Sequence, residues 1–582
     1  MENKQVSEVI DEIGTLLELT GENPFRSRAY HNAARIIEGL TDNLQSLAQS
    51  ESLTSVKGIG QGIAATITEL LNTGKAQLHE ELRAKIPSGV LEMLRIQGLG
   101  PKRIKILYEK LHISSIAELR DACHQQNLRS IDGFGEKTEE NILKSLDHLE
   151  RSSDKHLFPQ AFESAEKIVA MLTQIKGVKD CTYAGSLRRR KEIIGDIDIL
   201  LSAAEKSREA IMAAFTKQED AESVIAQGET KSAVILKNGI QCDLRVVSES
   251  EYPFALNYFT GSKEHNVELR SLARKRGLSL NEYGFSRIAE SKSASSKKKN
   301  PVCATEEDIY RHLGLDYIPP ELRENTDEID AAQKHKIPKL IEWTDIRGTF
   351  HCHSTDSDGL NTIDQMVEAA QRLGWQYIGF ADHSQAAAYA GGMSPAKARD
   401  QMKRIDRMNG RFNSFRVFKG VECDILTDGS LDYNDSLLAE FDYVVASIHS
   451  KFKMTESEST KRIIKALKNK NVTMLGHPTG RLLLQREGYP VNIPEIITAA
   501  ADYGKAIEIN AHPMRLDLDW RYLKLAKEKG VLIFINPDAH KIDGLQDVRF
   551  GVGIARKGWL EPNQVVNCWT VLKVVNYLKR KK

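Results

Sequence analysis

The stretch FHCHSTDSDG, residues 350–359, sets two histidines one residue apart and closes an acidic loop on glycine. On a strand, His351 and His353 present both imidazoles to one side, and Asp358 can join them from the loop. Imidazole and carboxylate donors in this pattern are ligands for a divalent metal ion. The series continues with His383 in ADHS, Glu422 in GVECD, His449 in SIHS, His477 in GHPTG, and Asp538 and His540 in INPDAH, each ending an apolar run. A lone histidine is usually a core or surface residue, but an ordered series at strand ends predicts convergence on one mouth of a barrel. Such mixed donors suit zinc, manganese or iron. His512 and His335 fall on none of these motif positions and are expected not to be ligands.

A second constellation lies in GSLRRRKEIIGDIDIL, residues 185–200. Asp196 and Asp198 sit two apart in an apolar strand, so both carboxylates share a face and repel unless a cation lies between them. Asp243, in the strand-like QCDLRV, supplies a third carboxylate if its strand pairs beside the first. Three carboxylates with two magnesium ions suit phosphoryl transfer to a 3′-hydroxyl. Upstream, Gly185 and Ser186 offer a loop that phosphates can approach, with Arg188 and Arg189 to neutralise them.

A third pattern repeats. VKGIGQGIAATI (56–67), IQGLGPKRIKIL (96–107) and IDGFGEKTEENI (131–142) share an apolar residue, Gly-x-Gly and the start of an amphipathic helix. Gly58 and Gly60, Gly98 and Gly100, and Gly133 and Gly135 let the backbone turn tightly and leave the next helix's first N–H groups open to a phosphate oxygen. A single such turn would be a plain helix cap. Three copies, with Lys102, Arg103 and Lys137 just beyond, predict helix-hairpin-helix units that grip a DNA backbone without reading its sequence.

The elements that position these groups follow from the patterning of the chain. At 582 residues the protein needs several cores. Charged residues make up 28% and the formal net charge is +1, so any polyanion-binding surface must be local. Seven scattered cysteines without a CxxC pair argue for a reducing, cytoplasmic setting and against a structural zinc knuckle. The polar, amphipathic N-terminus carries neither a signal-peptide core nor a membrane span and reads as a helix of a soluble protein. Helices joined by glycine turns predict two helix-hairpin-helix domains at 1–85 and 86–150. Strand-like runs interleaved with helices predict an α+β domain at 151–248, followed by helix and turn at 249–318. SKSASSKKKN (291–300) reads as an exposed loop and residues 319–340 as a linker. From 341 to 582, apolar strands alternate with helical segments in the rhythm of a distorted βα barrel.

From about residue 20 to 318 the sequence resembles the family X DNA polymerases. RAYHNAARII, the first two hairpin turns, GSLRRR with DID, GETK (228–231), the strand of Asp243, YFTGS (258–262) and LNEYGF (280–285) fall in the family's order. The resemblance implies a nucleotidyltransferase palm with thumb, in which Asp196 and Asp198 bind Mg2+ or Mn2+ and Asp243 assists the primer hydroxyl. It implies that Gly185, Ser186 and Arg189 hold the triphosphate of a dNTP, that Tyr258, Phe259 and the backbone at Gly261 lie against the sugar, and that Asn266 reaches the base edge. Arg26 and Tyr30 match positions that bind a 5′-phosphate. One departure stands out: the position of the family's Schiff-base lysine holds Thr66, and a neighbouring phosphate-binding lysine position holds Gly62. A hydroxyl forms no imine, so 5′-deoxyribose-phosphate lyase activity is expected to be weak or absent, unless Lys57 or Lys75 substitutes.

Residues from 341 to about 575 look like the PHP domain, which implies a phosphoesterase holding up to three ions, Zn2+ and/or Mn2+. Together the two halves resemble bacterial and archaeal family X polymerases. They imply a monomer that fills short gaps in nicked or gapped DNA, with a 3′-5′ exonuclease or 3′-end-processing activity and an abasic-site endonuclease. Two other readings stand against it. A phosphoesterase of small metabolites tethered to a DNA-binding module would not need the GSLRRR, DID and Asp243 set, and a non-enzymatic DNA-end scaffold would need neither metal site.

Overall fold

The computed structural model describes residues 3–39, 44–50, 52–56, 58–96, 99–131, 133–152, 155–288 and 300–580. Gly98, Lys57 and residues 291–299 of the basic loop lie outside the described residues. Two compact units emerge, one of residues 1–153 with two short further stretches, the other most of 154–582.

The first unit is helical. Helix Asn3–Thr20 buries Val6, Ile10, Ile13 and Leu17, the i, i+4, i+7 stripe of an amphipathic helix, against Tyr30, Ala33 and Ile37 of helix Pro24–Gly39. Ile59, Ile63 and Ile67 of the first Gly-x-Gly hairpin join that core. The second and third hairpins share another core, with Leu99, Ile104 and Leu107 packed with Ile131, Phe134 and Ile142.

The second unit holds two large sheets and, among the described residues, two short two-stranded ones. In the first, strands β1 (Val178–Tyr183), β2 (Asp196–Ala203), β3 (Ala221–Gln227), β4 (Lys231–Leu236) and β5 (Gln241–Val247) run in the order β1-β2-β5-β4-β3. Only the β2–β5 pair is parallel. β5 alternates cleanly: Cys242, Leu244 and Val246 are buried while Gln241, Asp243 and Arg245 occupy the other face. Helices Phe158–Thr173 and Arg208–Thr216 pack against this sheet.

Beyond it, helices Tyr252–Thr260, Lys263–Lys275 and Glu306–His312 close around Phe254, Leu269, Ile309 and Tyr310. The expected linker at 319–340 is corrected here. Leu322, Ile329, Ala332 and Leu340 belong to this same core, and Arg323 and Glu328 are buried. The polar sequence misleads because its charges are paired internally, Arg323 with Glu306 and Glu328 with His265.

The other large sheet is a barrel of seven parallel strands, β6 (Gly348–Cys352), β7 (Tyr377–Phe380), β8 (Arg416–Asp424), β9 (Tyr443–Ser447), β10 (Met474–Leu475), β11 (Ala506–Asn510) and β12 (Ile533–Asn536), paired in chain order. Their near-continuous apolar sequences match burial on both faces. The ring closes where Cys352 bridges Ala539 and where Asn536 accepts from the Phe350 N–H at 3.1 Å. A Cβ on Gly420 would come within 2.1 Å of the Tyr443 ring, so glycine lets that ring fill the barrel and donate its hydroxyl hydrogen to the Phe350 and Phe380 carbonyls.

Candidate active sites

Parallel pairing of β2 with β5 sets Asp198 directly opposite Asp243, with Asp196 one step along the same face. Burial pushes the Asp198 carboxyl up to about 6, and the charges of Asp196 and Asp243 push the same way. Asp196 is raised for the same two reasons, burial first and Asp243 second. Crowded carboxylates of this kind become stable anions when cations lie between them. Two residues hold Asp243, the GETK lysine and a neighbour with no assigned role: Lys231 Nζ lies 2.8 Å from one carboxylate oxygen and Gln241 Nε2 donates to the other at 2.8 Å. Asp198, Lys231, Asp243, Arg245 and Phe259 line a cavity of about 140 Å³.

The GSLRRR turn closes over these carboxylates. Gly185 has φ of +59°, and a Cβ there would stand 2.3 Å from an Asp198 oxygen, so only glycine brings the loop this close. Arg189 donates through Nε to Glu324 at 3.0 Å and through Nη1 to the Thr260 carbonyl. Arg188 differs from expectation: it pairs with Glu306 at 2.9 Å and with the Thr260 hydroxyl at 2.7 Å, which commits its guanidinium to holding the turn against the next helix. Tyr258 and Phe259 meet edge to face, Arg245 lies over the Phe259 ring, and Asn266 donates to the Tyr258 carbonyl at 2.7 Å. Ser262 caps the helix that carries Asn266, accepting from His265 N–H.

At the carboxyl ends of the barrel strands the nine expected donors converge. Three groups have ligand atoms within 4.8 Å of one another: His353, Asp358, His383 and His540; His351, His353 and Asp538; His383, Glu422 and His449. His477 completes the set, its Nε2 2.9 Å from Glu422. Shared donors between overlapping clusters fit a multinuclear site, and the all-N/O donor set suits borderline divalent ions. Gly359 is required in the acidic loop, since a Cβ would stand 2.6 Å from the His353 carbonyl. Asp538 adopts φ of +53°, uncommon for a residue other than glycine. Behind the donors, Glu508 bonds His351 Nδ1 at 2.7 Å and Asp424 bonds His449 Nδ1, so each ring's other nitrogen faces the cluster. Burial works against a charged His449, but Glu422 and Asp424 outweigh it and raise its pKa to about 9. His512 enters none of the clusters, and exposed His335 pairs with Asp316.

In the helical unit, Gly60 and Gly100 are N-caps of helices Gln61–Thr73 and Pro101–Leu111, and Gly135 precedes helix Glu136–Ser152. A Cβ at Gly60, Gly100, Gly133 or Gly135 would meet no described atom within 4 Å, so these helix N-termini are open to an approaching anion. At Gly58 the constraint is internal: φ is +103° and a Cβ would strike Ile36 at 2.2 Å. Lys102, Arg103 and Lys137 are exposed on the first turns of their helices. Cations there oppose the helix dipole unless an anion joins them. Arg26 is exposed and pairs with Glu22. Tyr30 is buried, and its hydroxyl lies 3.3 Å from that of Thr66, which also donates to the Gly62 carbonyl at 3.0 Å.

The chain matches the family descriptions "Helix-hairpin-helix domain" over residues 1–76, "SAM-like Helix-hairpin-helix tandem" over 90–147, "DNA polymerase beta thumb" over 255–324 and "PHP domain" over 349–512. It is 38% identical over 582 residues to the DNA polymerase/3′-5′ exonuclease PolX of Bacillus subtilis, covering the whole of both chains. The chain belongs to the family X DNA polymerases with a C-terminal PHP domain. DNA polymerase lambda of Rattus norvegicus is 24% identical over 345 residues, 55% of this chain and 56% of the rat protein. A probable phosphatase of Thermoanaerobacter is 29% identical over 244 residues, 40% of this chain and 94% of that protein. Divalent-metal dependence accords with this family and with the two donor sets. All seven cysteines are free thiols, and no helix among the described residues is long and apolar enough to cross a membrane.

Proposed function

We propose that this family X member is a DNA-directed DNA polymerase that fills short gaps, carrying in its PHP barrel a metal-dependent 3′-5′ exonuclease that cleans 3′ ends. The observation that carries this reading is the coexistence of two complete donor sets, the opposed carboxylates of β2 and β5 and the histidine-rich clusters of the barrel. A lone metabolite phosphatase would have no use for the first and a scaffold no use for either, since such clusters are costly to keep without ions.

In the polymerase site, Asp196 and Asp198 would hold two Mg2+ or Mn2+ ions, with Asp243 beside the primer terminus. Bound there, such ions would supply activation of the 3′-hydroxyl and neutralisation of the triphosphate. Gly185 and Ser186 bring backbone against the phosphates and Arg189 neutralises them. Tyr258, Phe259 and the backbone at Gly261 wall the sugar side and disfavour a 2′-hydroxyl, while Asn266 sits at the base edge. In the barrel, His351, His353, Asp358, His383, Glu422, His449, His477, Asp538 and His540 would hold up to three ions, Zn2+ and/or Mn2+, whose chemistry would be water activation and charge neutralisation at phosphorus. Abasic-site endonuclease activity fits the same centre.

Nicked or gapped DNA is held by the open helix N-termini after Gly60, Gly100 and Gly135, with Gly58, Gly98, Gly133, Lys102, Arg103 and Arg26 contributing to backbone contacts. Tyr30 is assigned to the wall of the 5′-end pocket. The domains are taken as 1–85 and 86–150 for DNA binding, 151–248 for the palm, 249–318 for the thumb and 341–582 for the PHP domain, in a cytoplasmic monomer. Single-nucleotide gap filling with each dNTP tests the reading: templated incorporation is expected from wild type and lost in Asp196→Ala/Asp198→Ala. Incorporation that persists in this variant contradicts it.

A further inference from the structure

The reverse side of the triphosphate loop rests on the barrel. Arg190 lies over the rings of Phe158 and Phe162, and a Cβ on Gly553, in barrel helix Val548–Lys557, would touch its side chain at 3.6 Å. Glu192 meets Arg481 of the barrel at 3.4 Å. At the end of the barrel helix, Lys557 is fully buried and reaches back to the loop. Its ammonium donates to the Arg189 carbonyl at 3.1 Å and pairs with Glu324 at 2.5 Å.

A buried ammonium is retained only where it is paired. Here its partner carboxylate is the one that also takes the Arg189 Nε at 3.0 Å, with Lys191 at 3.8 Å from its other oxygen. Alone with Arg189, Glu324 would cancel the guanidinium's charge and compete with a triphosphate for it. Shared with Lys557, the carboxylate fixes the guanidinium and leaves net positive charge on the loop. The Arg189 guanidinium is thereby held against the Thr260 carbonyl and Gly261, where a Cβ would stand 3.0 Å from Nη1.

We propose that Lys557, a residue of the PHP barrel, is a positioning residue of the polymerase site, acting through Glu324 to set the geometry and charge of Arg189 for the incoming nucleoside triphosphate. This rests on the assignment of Arg189 to the triphosphate. The barrel then forms part of the polymerase's nucleotide pocket as well as a second catalytic unit.

The test is steady-state gap filling and primer shortening by the full-length enzyme. Lys557→Met is expected to raise KM for dNTP about tenfold, with a smaller effect on kcat and unchanged exonuclease rate, and Lys557→Arg to restore most of the loss. Glu324→Gln probes the same link from its other end and carries the test if Lys557→Met fails to fold: it removes the carboxylate that anchors the Arg189 guanidinium, and a raised KM is expected. The double variant is expected to be non-additive, because both act through one guanidinium. An unchanged dNTP KM in both single variants overturns the proposal, as does additivity in the pair. Arg189→Lys separates the two claims. If its KM is unchanged, the assignment of Arg189 fails; if its KM rises while that of Lys557→Met and Glu324→Gln does not, only the role of Lys557 fails.

Discussion

Glu508, buried on β11, bonds the Nδ1 of His351 at 2.7 Å, which turns the other ring nitrogen toward Glu422 and Asp538. Such partners fix the tautomer and raise the basicity of a metal-binding imidazole, and their loss typically costs 10–100-fold in metal affinity or activity. Glu508→Gln is therefore expected to raise the Mn2+ concentration needed for half-maximal primer shortening by at least about tenfold. Gap filling by the same variant stays at the wild-type rate. Metal titration of both activities on one preparation checks it.

The Thr66 hydroxyl is buried against Tyr30 and, by the resemblance to polymerase β-like enzymes, falls at their Schiff-base lysine position. Borohydride treatment with a 5′-deoxyribose-phosphate end is expected to trap no adduct on the wild-type protein. An adduct that disappears in Lys75→Ala would place the lyase on that exposed lysine instead.

Glu306 is buried between Arg188 and Arg323, at 2.9 and 2.5 Å. Burial alone would raise its pKa, but the two guanidinium groups outweigh it and hold the carboxyl well below its ordinary value of 4.5. A depressed carboxylate contributes stability that is present above the unfolded pKa and lost as pH falls toward the folded one. Glu306→Gln is expected to lower unfolding free energy by about 3–5 kcal/mol at neutral pH, because two arginines lose a buried partner. Below about pH 4.5 the gap between variant and wild type should narrow. Denaturant melts at pH 7 and pH 4 measure both effects.

Residue types whose chemistry repeats at short range were legible in the sequence. The HxH and DxD spacings put donors on one face of a strand, and Gly-x-Gly before an amphipathic helix marks an N-terminus open to phosphate. The alternating rhythm of strands and helices from 341 onward pointed to the barrel. What stayed hidden depends on partners distant in the chain. Nothing near His351 announces Glu508, and nothing near Arg189 announces Glu324 or Lys557. Residues 319–340 read as a linker for the same reason, since a lysine- and glutamate-rich stretch looks solvated although Glu321, Arg323, Glu324 and Glu328 each have a counterpart distant in the chain. Arg188, beside Arg189, looks free for a phosphate for the same reason: its partner Glu306 lies far along the chain.

On the proposed reading, two separate sites in one chain extend and trim the same DNA end. A 5′-labelled primer on a one-nucleotide gap with a 5′-phosphate, incubated with manganese with and without dNTPs, compares wild type, Asp196→Ala/Asp198→Ala and His351→Ala/His353→Ala. Extension is expected to be lost only in the aspartate variant and shortening only in the histidine variant. A histidine variant that still shortens the primer would contradict the barrel's assigned role.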